Sequence, residues 1–190
     1  METDSMLEIP YKSSRIRILD EPTYTLESAD NARKYEYESR LGSGKYRPTS
    51  AHGVAAIAND EVIASHLFVA PGGASGVHDK SAVVVEDRCI LAVGPYLVAI
   101  RLPSLEIAWS TQVDPATAFG VYLSADGSCL FSHGELTISR LNFDGQIEWQ
   151  EGGADIFSEG FAVEDKCVRA VDFDNREYCF DPASGRLIAT

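Results

Sequence analysis

A period of about forty residues runs from Ser81 to the C-terminus, and a period of that length constrains the fold more than anything else in the chain. Cys89, Cys129 and Cys167 are separated by 40 and 38 positions, and each follows a turn signal: Glu86-Asp87-Arg88, Ala125-Asp126-Gly127 and Glu164-Asp165-Lys166. Trp109 and Trp149 lie 40 apart, as do Gly94 and Gly134, and Gly145 and Gly185. Within each unit, short runs of Val, Ile, Leu, Phe and Tyr are split by Asp-Gly, Asp-Asn, Ser-Gly or Pro-Ser pairs, which are turn signals between strands.

In the second unit Leu136, Ile138 and Leu141 trade places with Thr137, Ser139 and Arg140, the pattern of a strand with one buried face. Helical spacing is nearly absent, and only the polar stretch 28–39 could hold a helix or an irregular arm. The expected fold is all-β: antiparallel, propeller-like repeats of about forty residues, three clear units plus a possible fourth between Ala51 and Asp79. So few units suit a small ring, an open partial propeller or stacked sheets. An open arc leaves strand edges that need a cover or a second copy. Residues 1–50 are expected as a polar N-terminal arm packing on or between sheets, and 51–190 as one repeat-built domain.

Two resemblances attach to these residues. The unit ending Trp109-Ser110-Thr111-Gln112-Val113 resembles the W-x-T-x-V close of quinoprotein-type blades; this implies packing of the indole between neighbouring sheets and no quinone cofactor. The runs Trp109 to Gly120, His133 to Leu141 and Gly153 to Phe157, with Gly72 to Ser81 as a weaker fourth, resemble an uncharacterised bacterial protein family. That likeness covers most of residues 60–190 and implies no mechanism. Pro115, Ala118 and the short link from Phe157 to Phe161 depart from its pattern.

With 29 acidic against 16 basic residues the net charge is -13, so the average surface repels nucleic-acid phosphates and anionic lipid, and neither partner is expected. Any basic patch would draw on Arg15, Arg17, Arg33, Lys34, Arg40, Lys45 and Arg47. The start Met1-Glu2-Thr3-Asp4 is acidic and precedes no apolar run, so no secretory signal is expected, and no apolar stretch is long enough for a membrane helix. A soluble cytoplasmic protein is the expectation. Cys89, Cys129, Cys167 and Cys179 form no C-x-x-C pair and sit in apolar runs, which suits reduced core thiols.

Gly42-Ser43-Gly44-Lys45 lacks the first glycine and the closing hydroxyl residue of a phosphate loop and reads as a turn. Gly72-Gly73-Ala74-Ser75-Gly76 could present backbone N–H groups to an anion, or simply form a long connection. His133 and Glu135 interrupt the repeat where other units have Val93-Gly94-Pro95 and Val171-Asp172-Phe173. Spaced two apart at a strand end, they would face one way, as ligands or as an acid–base pair. The plainer alternative is a turn histidine bonded to a neighbour. Asp114 and Asp155 follow the two Trp-ended strands and suit turn anchors, though inter-unit links cluster at one end of a propeller and would bring them near His133. His66 and His78 flank the glycine-rich loop; with His52 and His133 they are the only imidazoles, and none is spaced for zinc.

The candidate ligand-binding residues are therefore His133, Glu135, Asp114, Asp155, His66 and His78, with no metal and no cofactor expected. The leading expectation is a non-enzymatic binding module whose partner is a protein or a second copy, joined through sheet edges, a homodimer being one such form. The rivals are a small hydrolase or metal-dependent enzyme using His133, Glu135, Asp114 and Asp155, and a bacterial immunity or antitoxin-like protein.

Overall fold

The computed structural model describes residues 5–188, which form sixteen strands and no helix. The acidic start Met1 to Asp4 lies outside the described residues, and no helix is long and apolar enough to cross a membrane. The first sheet holds β1 (Met6–Tyr11), β2 (Ser14–Asp20), β3 (Tyr37–Arg40), β4 (Ser50–Ala58) and β5 (Glu61–Ala70). Their spatial order is β1-β2-β4-β5-β3. The second sheet is β6 (Ala82–Val85), β7 (Arg88–Val93), β8 (Tyr96–Arg101) and β9 (Ile107–Gln112); the third is β10 (Ala118–Leu123), β11 (Leu130–Gly134), β12 (Thr137–Leu141) and β13 (Ile147–Gly152). The fourth is β14 (Gly160–Glu164), β15 (Cys167–Val171) and β16 (Glu177–Phe180), extended by a bridge from Phe180 to Leu187. All pairings are antiparallel meanders except β3, which runs parallel to β5.

Each repeat is thus one sheet, and the sheets stack in chain order through three apolar cores. Ile16, Ile18, Val54 and Phe68 meet Leu91, Val93, Val98 and Ile100 between the first two sheets. Ile90, Leu97 and Ala99 meet Val121, Leu130 and Leu141 between the next two, and Phe131, Ile138 and Trp149 meet Val168, Ala170 and Phe180 between the last. No strand pairing or core cluster of the described residues joins the fourth sheet to the first, so the propeller-like arc is open.

The N-terminal fifty residues were expected as an arm. They supply three of the first sheet's five strands, and the fourth repeat anticipated at Ala51 is completed by β1 and β2 from before it. The stretch between β2 and β4 behaves as a cover: Tyr24, Leu26 and Tyr35 pack on Ala51, Leu67 and Val69, the face turned away from the second sheet. It contains no helix, and its last part becomes β3.

The two tryptophans occupy matching environments. The indole Nε1 of Trp109 donates to Phe143 O at 2.9 Å, and that of Trp149 donates to Pro182 O at 3.0 Å. Each ring lies flat against a glycine of the next sheet's last turn, Gly145 at φ 80° and Gly185 at φ 72°, where an added Cβ would fall 2.5 and 2.7 Å from the ring. Arg88 and Arg140 add a second donor to the same two carbonyls at 2.8 and 2.7 Å. Burying one large apolar side chain is worth about 1.5–3 kcal/mol and a net hydrogen bond about 1 kcal/mol. The cores therefore hold the stack, and the clasps set its register.

Two sequence expectations fail here. Leu136 precedes β12 and is exposed, while Ser139 is fully buried: an interior sheet is covered on both faces, so its strands need not alternate. Ser139 is accommodated by donating to Val113 O at 3.1 Å. The cysteines are not all reduced core thiols. Cys89 and Cys129 are free and buried, but Cys167 and Cys179 form a disulfide across β15 and β16. The β15 and β16 register puts both on the face turned away from the third sheet, so neither belongs to a core.

Candidate functional site

In an antiparallel four-stranded repeat the first and third turns fall at one end, and the second turn and the link to the next sheet fall at the other. His133, Glu135, Asp114, Asp155 and His78 all lie in or beside the second set, which includes the links 71–81, 113–117 and 153–159. Their side chains do not converge, because each is engaged separately.

Asp114 is buried and accepts five hydrogen bonds. Oδ1 takes the N–H groups of Ala116 and Thr117 at 2.7 and 2.9 Å; Oδ2 takes those of Leu136 and Thr137 at 2.8 Å each and the Thr137 hydroxyl at 3.1 Å. The first pair closes a turn in its own link, and the second ties that link to the β11–β12 turn of the next sheet. A carboxylate ringed by donors in this way anchors the backbone on both sides of it. Asp155, expected to be its counterpart, is exposed and accepts the neighbouring Ile156 N–H at 2.8 Å.

All four histidines spend a ring nitrogen on a backbone carbonyl of a following sheet or link. His133 Nε2 donates to Phe157 O at 2.9 Å, His66 Nδ1 to Leu105 O at 3.0 Å, and His78 Nε2 to Phe119 O at 2.8 Å. His66 Nε2 accepts from Ser39 Oγ at 2.8 Å, and His78 Nδ1 accepts the Lys80 N–H at 3.1 Å. His52 faces two carbonyls, Ala92 O at 3.1 Å and Ser75 O at 3.0 Å, of which a neutral ring can serve one. His133 also stacks on Phe161 with centroids 4.6 Å apart and meets the edge of Phe119. Burial pushes its imidazole pKa down to about 4, so it is neutral at pH 7. Burial likewise lowers His66 and His52. A neutral ring whose proton is committed to a carbonyl is a poor shuttle for a substrate proton.

Glu135 sits past the end of β11, with its carboxylate over Gly73 of the glycine-rich link, and it makes no close approach to the His133 ring nitrogens. That link is not an open cradle for an anion: Gly73 N–H donates to Ala116 O at 3.0 Å and Ser75 N–H to Ser50 Oγ at 2.9 Å. No group of three or more His, Cys, Asp or Glu among the described residues is arranged to hold a metal. A groove of about 400 Å³ lies at the other end, between the third and fourth sheets, lined by Asp126, Phe131, Arg140, Glu164 and Pro182 and by none of the candidates.

The sequence reading passed over a second groove, about 380 Å³, on the outer face of the first sheet. Arg17, Arg33, Lys34 and Tyr35 wall it, and Leu19, Ala55, Val62 and Ser65 form the rest. Arg17 pairs with Glu8 at 2.7 Å and Arg33 with the buried Glu21 at 3.2 Å, which also accepts the Tyr35 hydroxyl at 2.5 Å. The basic residues were visible in the sequence, but their grouping needs the cover segment folded back over β2.

No family model matches the sequence, and no curated protein matches it. Among solved structures the chain is similar to the computationally designed Ika8 protein, with a TM-score of 0.54 at 9% identity over 96% of this chain and 59% of that one. It is also similar to the β-propeller domain of Cps50 (Swd1) from Myceliophteria thermophila, with a TM-score of 0.50 at 15% identity over 73% of this chain and 55% of that one. The chain thus spans a little over half the length of either, and at such identities the likeness is one of fold.

Proposed function

We propose that this chain is a protein-interaction scaffold without chemistry of its own, which binds a protein partner or a second copy and neither nucleic acid nor membrane. One observation carries the reading: the most exposed large apolar side chains sit on the two terminal sheets. Val62 and Phe173 are each 60% exposed and Leu187 62%, whereas no large apolar residue of the two middle sheets exceeds 41%. Apolar surface most exposed at the ends of an open stack is what association would cover. The net charge of -13 disfavours polyanions as partners. The likeness of Trp109 to Phe157 to an uncharacterised bacterial family is part of the same proposal and adds no activity.

Light scattering across a concentration series, with cross-linking read by mass spectrometry, tests it. Self-association or a co-purifying protein, cross-linked through the terminal sheets and weakened by Phe173→Asp or Leu187→Asp, is the expected result. A chain that stays monomeric and retains no protein overturns it, as do cross-links confined to the middle sheets. A cytoplasmic setting is also proposed; structural disulfides persist mainly in oxidising compartments. Four thiols alkylated on denaturing lysis of cells would support the cytoplasm, and two would oppose it.

A further inference from the structure

We propose that the open edge of β5, together with the cationic groove beside it, is a docking site for an extended acidic peptide segment of a protein partner, added as a further strand to the first sheet. The inference rests on the scaffold reading and names the partner's chemistry. β5 spans Glu61–Ala70, but β3 pairs only with His66 to Val69. Beyond that point the chain leading into β3 leaves the edge: the Glu36 N–H bonds to the Ser65 hydroxyl at 2.9 Å, and residues 33–35 turn inward over the sheet face. Among the described residues no strand pairs with that side of Glu61 to Ser65. Such an edge presents unpaired N–H and C=O groups to an incoming strand.

Side-chain chemistry beside this edge selects the occupant. Val62 is 60% exposed and, with Ala55 and Leu19, gives the groove an apolar floor. Arg17, Arg33 and Lys34 wall it with no carboxylate in the lining, in a chain of net charge -13. Arg17 and Arg33 are each already paired with one glutamate, and Lys34 has no ion-pair partner among the described residues. Alternate residues of an added strand point to one face, so a segment alternating apolar and acidic residues, with its acidic side turned to the face carrying the groove, would meet the cations, while backbone bonds supply register.

The probe is a fluorescein-labelled octapeptide alternating valine with glutamate, followed by fluorescence anisotropy on the full chain. Saturable binding is expected, weakened about tenfold by Lys34→Glu, one reversed charge contact being worth roughly 1.4 kcal/mol, and weakened again by raising salt. Valine–lysine and centrally proline-substituted peptides are expected not to bind. No saturable binding, equal binding of the lysine peptide, or indifference to Lys34→Glu overturns the proposal. Competition by free glutamate at equal concentration also overturns it, since that marks a small-anion pocket. Partner capture that survives Lys34→Glu in the cross-linking experiment would leave the scaffold reading standing while this site falls.

Discussion

Acid should loosen the stack through His133. The ring is 9% exposed, donates from Nε2 to Phe157 O across the third and fourth sheets, and has its pKa pushed down by burial to about 4. In the unfolded chain the same imidazole titrates near its ordinary value of about 6.5. Between these values the unfolded state binds a proton that the folded state refuses, so stability is full above the unfolded pKa and falls as pH drops towards the folded one. Taking the folded value as about 4, His133 alone contributes almost nothing at pH 7.5 and removes about 2 kcal/mol by pH 5, approaching about 3 kcal/mol below pH 4. The assay is urea denaturation at both pH values for the native chain and for His133→Gln, whose amide can still reach the Phe157 carbonyl. His52 and His66 are lowered in the same direction and act in both proteins, so the difference between the two pH dependences isolates His133. A variant that loses as much stability between pH 7.5 and 5 as the native chain would refute the burial argument.

Three further outcomes follow from the same contacts. Gly145→Ala should cost roughly 1–3 kcal/mol more than Gly127→Ala, because both sit at positive φ but only the first drives a methyl to 2.5 Å from the Trp109 ring; paired urea melts with indole fluorescence read it, and equal losses would dismiss the clasp. Asp114→Asn should cost about 1–3 kcal/mol, from backbone N–H groups left facing an amide NH₂; a thermal midpoint within a degree of the native one would remove Asp114 as an anchor. Reducing the Cys167 to Cys179 bond, which closes a separation of 12 residues, should lower stability by about 2–3 kcal/mol, seen as an earlier urea transition in dithiothreitol; Cys167→Ser should abolish that sensitivity.

The repeat could be read because its clasp uses residues that are conspicuous in a sequence. An indole packed on a glycine of positive φ requires Trp and Gly, and both recur 40 positions on, at Trp109 and Trp149 and at Gly145 and Gly185. The first repeat makes the corresponding junction with different chemistry. His66 Nδ1 reaches Leu105 O at 3.0 Å, and Leu105 holds φ 59° where the later units have glycine, so neither signature residue is present. The excursion between Asp20 and Ser50 then separates β2 from β4, which hid the first two strands of that unit and made them look like an arm. Sheet position was equally invisible: the burial pattern of β15 alternates, but the pattern alone does not say which face meets the third sheet and which carries Cys167 towards Cys179.

The candidate site failed for a related reason, and the failure has functional content. A lone histidine interrupting an apolar run is chemically conspicuous, yet its partner here is a carbonyl 24 to 41 residues away, supplied by whichever sheet comes next. Carbonyls carry no residue signature, so sequence reasoning sees the donor and never the acceptor. Asp114 repeats the pattern with backbone N–H groups as the unseen partners. Asp114 and the histidines at these junctions are committed to fixing sheet on sheet. What a rigid open stack leaves for recognition is then its uncommitted backbone, at strand edges, and the charges beside it. The unpaired edge of Glu61 to Ser65 next to Lys34 is where both occur together.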